Sequence, residues 1–166
     1  MASRLQSEIF SHWYHLFDGV QVSSQEFYSH LEQAIQRRQI PKAEMTWILW
    51  REGGMLSAKR EYLRVQRQEN IFDLCAAPFG TGFFVSWWLG ELPSGCLMAF
   101  AEVPVLGFLV RNFIKPLTYY KIDTALMFQQ AVHLSVLEVL DSMTSAKGVK
   151  ALTEAERKPI MKDFFQ

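Results

Sequence analysis

Two side chains in this sequence could form a nucleophile and its base. Cys75 lies just before a glycine-flanked turn at residues 78–82, and His133 lies in a long apolar stretch further along the chain. A catalytic cysteine needs a base and a lowered pKa, and an imidazole can act as that base. The pair is therefore a candidate for a small thiol-dependent enzyme. No cysteine-protease signature surrounds Cys75, so an inert core thiol is the favoured interpretation.

Three further residues, Glu8, His12 and His15, could bind a divalent metal ion. Apolar residues recur at spacings of three and four over residues 5–17, which predicts a helix. Residues three and four apart share a helix face, so this helix would bring the three ligands together. A solvated polar face opposite Trp13 explains the same spacing. The favoured interpretation includes no metal and no cofactor.

A basic group falls on one predicted strand, residues 59–67. An aromatic ring among basic side chains can stack on a base and contact the phosphates of single-stranded nucleic acid. The solvated side of an edge strand explains the group equally well. Because the net charge of the chain is +0, nucleic acid is not the favoured partner. The group consists of Lys59, Arg60, Tyr62, Arg64 and Arg67.

The segment between Gln68 and Val110 contains no lysine or arginine, although the chain has 17 of them. Such an apolar stretch must be covered by a core, by a partner or by lipid. The sequence therefore predicts an interaction surface here, with basic residues at its end. Its members are Phe83, Phe84, Trp87, Trp88, Phe100, Phe108, Arg111 and Lys115.

Residues 96–110 are too short an apolar run to predict a membrane span. A spanning helix needs about 20 apolar residues, whereas this run has about 15 and contains Glu102 and Pro104. A segment lying in the membrane interface would tolerate these two residues better. A buried connection between a sheet and a helix is the slightly favoured alternative.

Periodicity predicts an N-terminal helical hairpin over residues 1–40. Its second helix, residues 24–38, would begin at a capping box made by Ser23 and Glu26. An antiparallel meander follows over residues 41–91. Its four strands are predicted at residues 44–51, 59–67, 71–77 and 82–89.

Residues 92–117 are predicted to be an apolar linker, and residues 118–166 to be helical. A helix over residues 119–144 is apolar nearly all round and so predicted to be buried, packed across one face of the meander. Thr153 and Glu156 form a second capping box, which predicts a short last helix. The expected fold class is α+β, in one domain spanning residues 1–166.

These observations favour a non-enzymatic interaction or adaptor protein that acts through its apolar aromatic surface. It would either self-assemble as a homo-oligomer or dock on another protein, a membrane or a membrane protein. Two alternatives stay open: a thiol-dependent transferase or hydrolase using Cys75 and His133, and single-strand binding through Arg64 and Arg67. No signal peptide is recognisable near the start. The expected location is the cytoplasm or the cytoplasmic face of a membrane.

Overall fold

The computed structural model describes residues 8–51, 59–92 and 118–162. In chain order the elements are β1 (Glu8–Asp18), α1 (Ser24–Arg37), β2 (Ala43–Arg51), β3 (Lys59–Arg67), β4 (Asn70–Phe79), β5 (Gly82–Glu91), α2 (Tyr119–Ala146) and β6 (Ile160–Met161). The strands form one six-stranded sheet in the order β2-β3-β4-β5-β1-β6. All of its strand pairs are antiparallel, and β1 lies between β5 and β6.

The predicted α+β class is confirmed. Strands β2 to β5 follow one another as a meander near the predicted positions, but they are only part of a larger sheet. Helix α2 covers the predicted range and is capped by Thr118, whose hydroxyl accepts from the N–H of Lys121 at 3.3 Å. Strands β1 and β6, which were not predicted as strands, extend the meander beyond β5.

The first half of the predicted helical hairpin is wrong, because residues 8–18 form strand β1. The apolar residues Trp13 and Phe17 are four apart, a spacing that fits both a helix face and one face of a strand. Trp13 is paired with Trp87 and Phe17 with Phe83 on β5. The local pattern fits a helix and a strand equally well. Pairing with β5, which is distant in the sequence, determines that these residues form a strand.

The second predicted helix is confirmed as α1. Its N-cap is Ser23, whose hydroxyl accepts from the N–H of Glu26 at 3.1 Å, as the capping box requires. Phe27 and Leu31 are fully buried on the side of α1 that faces the sheet and α2. The ring of Phe27 lies 5.5 Å from that of Phe83 on β5. Helix α1 therefore shares one face of the sheet with α2.

Helix α2 lies on this same face, which we call the inner face. Trp87 stacks on Phe72 with ring centroids 4.6 Å apart, and Phe128 of α2 meets the edge of Phe72 at 6.4 Å. All three side chains are buried. Burial of such a side chain stabilises a fold by roughly 1.5–3 kcal/mol, so these contacts help to hold α2 on the sheet.

Tyr28 anchors α1 to the sheet at the point where strands β3 and β4 separate. Strands β3 and β4 are paired from Arg67 and Asn70 only as far as Leu63 and Leu74. Beyond that point, the Tyr28 hydroxyl accepts from the backbone N–H of Ala76 at 2.8 Å. Burial raises the pKa of this phenol, which stays neutral.

The short helix predicted after residue 153 is wrong. Thr153 and Glu156 do make the expected contacts: the Glu156 carboxylate accepts from the N–H of Thr153 at 2.8 Å, and the Thr153 hydroxyl accepts from the N–H of Glu156 at 3.4 Å. They close a turn over residues 154–157 instead of opening a helix. The side chain of Arg157 then pairs with Asp141 of α2 through contacts of 2.6 and 2.9 Å. This turn is thereby held against α2 and leads into β6.

Part of the predicted interaction surface lies outside the described residues, namely Phe100, Phe108, Arg111 and Lys115. The same is true of most of the predicted apolar linker. Of the two helices in the described ranges, neither is long and apolar enough to cross a bilayer.

Candidate interaction surface

The alternation of side chains along β5 divides the predicted surface between two faces of the sheet. Phe83 and Trp87 point to the inner face and are fully buried. Phe84 and Trp88 point to the opposite side, which we call the outer face. The two buried residues belong to the core and cannot contact a partner.

A group of five side chains lies together on the outer face, on the neighbouring strands β1 and β5. The register pairs His12 with Trp88, Tyr14 with Ser86, and Leu16 with Phe84. The ring of His12 stacks on Trp88 with centroids 4.7 Å apart and planes inclined by 17°. It also lies parallel to the ring of Tyr14, at 6.3 Å. We call His12, Tyr14, Leu16, Phe84 and Trp88 the outer-face patch.

The outer-face patch is apolar and accessible. Tyr14 is 59% exposed, Leu16 47% and Trp88 41%. Within residues 8–51, 59–92 and 118–162, neither helix packs on this side, since both lie on the inner face. A contiguous exposed group of large apolar side chains is typical of a surface that binds a partner.

A charged pair borders this apolar area on the same face. Arg64 of β3 lies opposite Asp73 of β4. Its Nε and Nη2 donate to the two carboxylate oxygens of Asp73, both at 2.7 Å. The two charges neutralise each other, so this part of the outer face presents no net charge to a partner.

The predicted metal site is not formed. Because β1 is a strand, residues three apart point to opposite faces: His12 stacks on Trp88 outside, and His15 lies 4.6 Å from Phe17 inside. The side chain of Glu8 lies outside the described part of the chain. In that described part, no group of three His, Cys, Asp or Glu side chains could hold a metal ion.

The structure does not bring Cys75 and His133 together. Leu74 is paired with Trp87, and both point to the inner face, so their neighbour Cys75 points outward. His133 of α2 lies on the inner side. Burial raises the pKa of the Cys75 thiol, which is the reverse of what a nucleophilic cysteine needs. The two residues therefore do not form a nucleophile and base.

His133 has a structural role in the core, where it is 2% exposed. Its Nδ1 accepts from the indole N–H of Trp87 at 3.1 Å, so the ring proton is on Nε2. That Nε2 donates to the backbone carbonyl of Arg157 at 2.7 Å. Burial lowers the pKa of this imidazole and keeps it neutral. His133 thus joins β5, α2 and the turn before β6.

The predicted basic group is dispersed by its own contacts. Arg64 is committed to Asp73, and Arg67 donates through Nε to the carbonyl of Pro41 at 3.1 Å. Tyr62 is half-buried, and burial raises the pKa of its phenol. Arg60 is exposed, and the side chain of Lys59 lies outside the described part. The described side chains of this group therefore form no continuous basic groove for a nucleic-acid backbone.

Three residues of the outer-face patch were not predicted from sequence to belong to an interaction surface, namely His12, Tyr14 and Leu16. Their signal was the alternation over residues 12–17, in which Trp13, His15 and Phe17 point inward. This alternation was hidden by the helical spacing of the same segment.

Comparison with known proteins identifies no family. No protein-family model matches the chain, and no curated protein matches it. Among solved structures, the chain has a weak similarity to TTHA0849 from Thermus thermophilus, at 15% sequence identity and a TM-score of 0.24. The match covers 76% of this chain and 97% of that one. A similarity this weak supports no conclusion about function.

Proposed function

We propose that this chain is a non-enzymatic interaction protein and that the outer-face patch is its docking surface. The observation that carries the proposal is the exposure of Trp88, Tyr14 and Leu16 side by side on a sheet face without a described helix above it. Leaving such side chains in water forgoes the stabilisation that burial provides, about 25 cal/mol per Å². A partner that covers them recovers it.

A second copy of the chain is the occupant we propose. A two-fold contact uses the same patch on both subunits, and apolar rings with a neutralised charged border can face their own copy without repulsion. Two sheets pack face to face at about 10 Å, a distance that the side chains of Trp88 and Tyr14 can fill. A membrane or membrane protein is the alternative occupant. The cytoplasm, or the cytoplasmic face of a membrane, remains the proposed location.

The test is the mass of the particle in solution, measured by light scattering across a concentration series. We expect wild-type protein to form a dimer and the variants Trp88→Ser and Tyr14→Ser to be monomers with unchanged circular dichroism. Met127→Ser is the matched control, because Met127 is 65% exposed on α2, away from the patch. This control should dimerise as the wild type does.

Three outcomes would contradict self-assembly through the outer-face patch. A wild-type monomer at all concentrations that does not bind vesicles removes a second copy and a lipid surface as occupants. The protein could be a monomer that sediments with vesicles of mixed neutral and acidic lipids, and lose this binding on Trp88→Ser. That result would show that the patch binds a membrane and not a second copy. A dimer unaffected by either substitution would place the subunit contact elsewhere on the chain.

A further inference from the structure

A cavity of about 510 Å³ lies on the inner face of the sheet, where α2 begins. Its walls come from β1, from the turn between β3 and β4, from the end of β5, from the first turns of α2 and from β6. This volume lies within the range of about 300–1,000 Å³ that is typical of pockets for small molecules. The cavity is separated from the outer-face patch by the sheet itself, so a ligand could occupy it whatever covers that patch.

The body of the cavity is apolar. Phe10 and Leu89 contribute from the sheet, and Ile122, Ala125 and Leu126 contribute from α2. The three helix residues recur at spacings of three and four, which places them on adjoining faces of the helix. An apolar molecule would be surrounded from both the sheet and the helix.

A buried amide lies at the side of the cavity formed by α2 and β6. Gln129 is 4% exposed, and its Oε1 accepts from the hydroxyl of Ser11. Its Nε2 donates to the sulfur of Met161 at 3.8 Å. A thioether is a weak acceptor, so an oxygen atom in the cavity would be a better partner for this amide.

A lysine lies between two carboxylates at the same cavity. Nζ of Lys121 is 3.8 Å from an oxygen of Glu69 and 3.8 Å from an oxygen of Glu91. A carboxylate on a ligand would approach this lysine only by approaching both glutamates. Like charges at that distance repel, so the cavity disfavours an anionic head group.

We propose that this cavity binds an uncharged, mainly apolar molecule that carries an oxygen acceptor, in the manner of a long-chain alcohol or ketone. The apolar body packs between Leu89 and Ala125. The oxygen accepts from Nε2 of Gln129, which supplies orientation. Glu69 and Glu91, which flank Lys121, disfavour acids of the same length.

The first experiment compares three ten-carbon probes by isothermal titration calorimetry: 1-decanol, decanoate and decylamine. We expect saturable binding of 1-decanol and binding of decanoate that is at least about tenfold weaker, because of the two carboxylates. Decylamine separates simple attraction to these carboxylates from the proposed contact with Gln129. Tightest binding of either charged probe, or no binding of 1-decanol, would overturn the proposal.

Variants of α2 then locate the binding site. Ala125→Phe should fill the cavity and abolish 1-decanol binding, while Gln129→Leu should weaken it by about tenfold, as expected for one lost hydrogen bond. Met127→Phe adds the same ring on the exposed side of α2 and should bind as the wild type does. If Ala125→Phe folds by circular dichroism and still binds 1-decanol with wild-type affinity, the cavity is not the site. The Ala125→Phe test does not depend on Gln129→Leu. It therefore remains valid if Gln129→Leu, which loses the contact with Ser11, fails to fold.

Discussion

The indole N–H of Trp87 donates to Nδ1 of His133 at 3.1 Å, and this bond crosses from β5 to α2 inside the apolar core. Trp88, the next residue, lies on the outer face and stacks on His12. We expect Trp87→Phe to lower the free energy of unfolding by about 2–4 kcal/mol, since it leaves a buried nitrogen unpaired and removes ring volume. Trp88→Phe should change it by about 0.5 kcal/mol or less. Urea unfolding of both variants measures the difference, and equal costs would contradict these positions.

The neutral state of His133 makes stability depend on pH. Burial lowers the pKa of this imidazole in the folded protein, so the unfolded chain binds the proton more readily. Its contribution to stability is complete above the unfolded pKa of about 6.5 and is lost as the pH falls through the folded pKa. The slope from this one group is at most about 1.4 kcal/mol per pH unit. Urea unfolding between pH 7.5 and 5.5 should show a shallower slope for His133→Gln than for the wild type.

The bidentate ion pair between Arg64 and Asp73 should contribute to stability through its geometry as well as its charge. Both side chains are mostly buried, at 17% and 13% exposed, so water screens the pair only partly. We expect Arg64→Ala to cost about 1.5–3 kcal/mol in urea unfolding. Arg64→Lys keeps the charge but loses the paired contacts, and should recover less than half of that cost. Full recovery by lysine would show that charge alone matters here.

The thiol of Cys75 should be unreactive in the folded protein. It is buried, and burial raises its pKa, so little thiolate forms near neutral pH. The sequence has one other cysteine, Cys96, so a Cys96→Ser variant leaves a single thiol. In that variant, a disulfide reagent at pH 7 should react only as fast as the protein unfolds. The rate should therefore rise with urea in parallel with unfolding. Rapid labelling in buffer alone would return Cys75 to consideration as a nucleophile.

Two elements, α1 and α2, could be predicted from local patterns alone. The cap at Ser23 predicted the start of α1, and the apolar run over residues 119–144 predicted a long helix. That helix is buried on one face only, since Met127 and Leu134 are exposed. Segment 8–18 had two interpretations, because Trp13 and Phe17 fit helix and strand alike. Only the pairing with residues 82–91 distinguishes them, and no local pattern contains that information.

The predicted metal site followed from the same wrong assignment of residues 8–18 as a helix. With residues 8–18 as a helix, His12 and His15 lay together and resembled metal ligands. As a strand, the same residues separate His15 from His12 and place His12 beside Trp88. The aromatic character of β5 was recognised from sequence, but which of its rings face outward followed from the register. The cavity beside Gln129 was missed because its walls come from five separate parts of the chain.

The position of β1 between β5 and β6 has a consequence for how the chain folds. Ser11 of β1 is paired with Leu89 of β5 on one side and with Met161 of β6 on the other. Strands β2 to β5 can pair as each is synthesised, but β1 must wait until β5 has been made, and its other edge until β6 has. We expect an early meander with its inner face still open, followed by a slow step in which β1 and α2 arrive. During that interval the apolar inner face and the unpaired edge of β5 are exposed, which favours aggregation until β1 and α2 are in place.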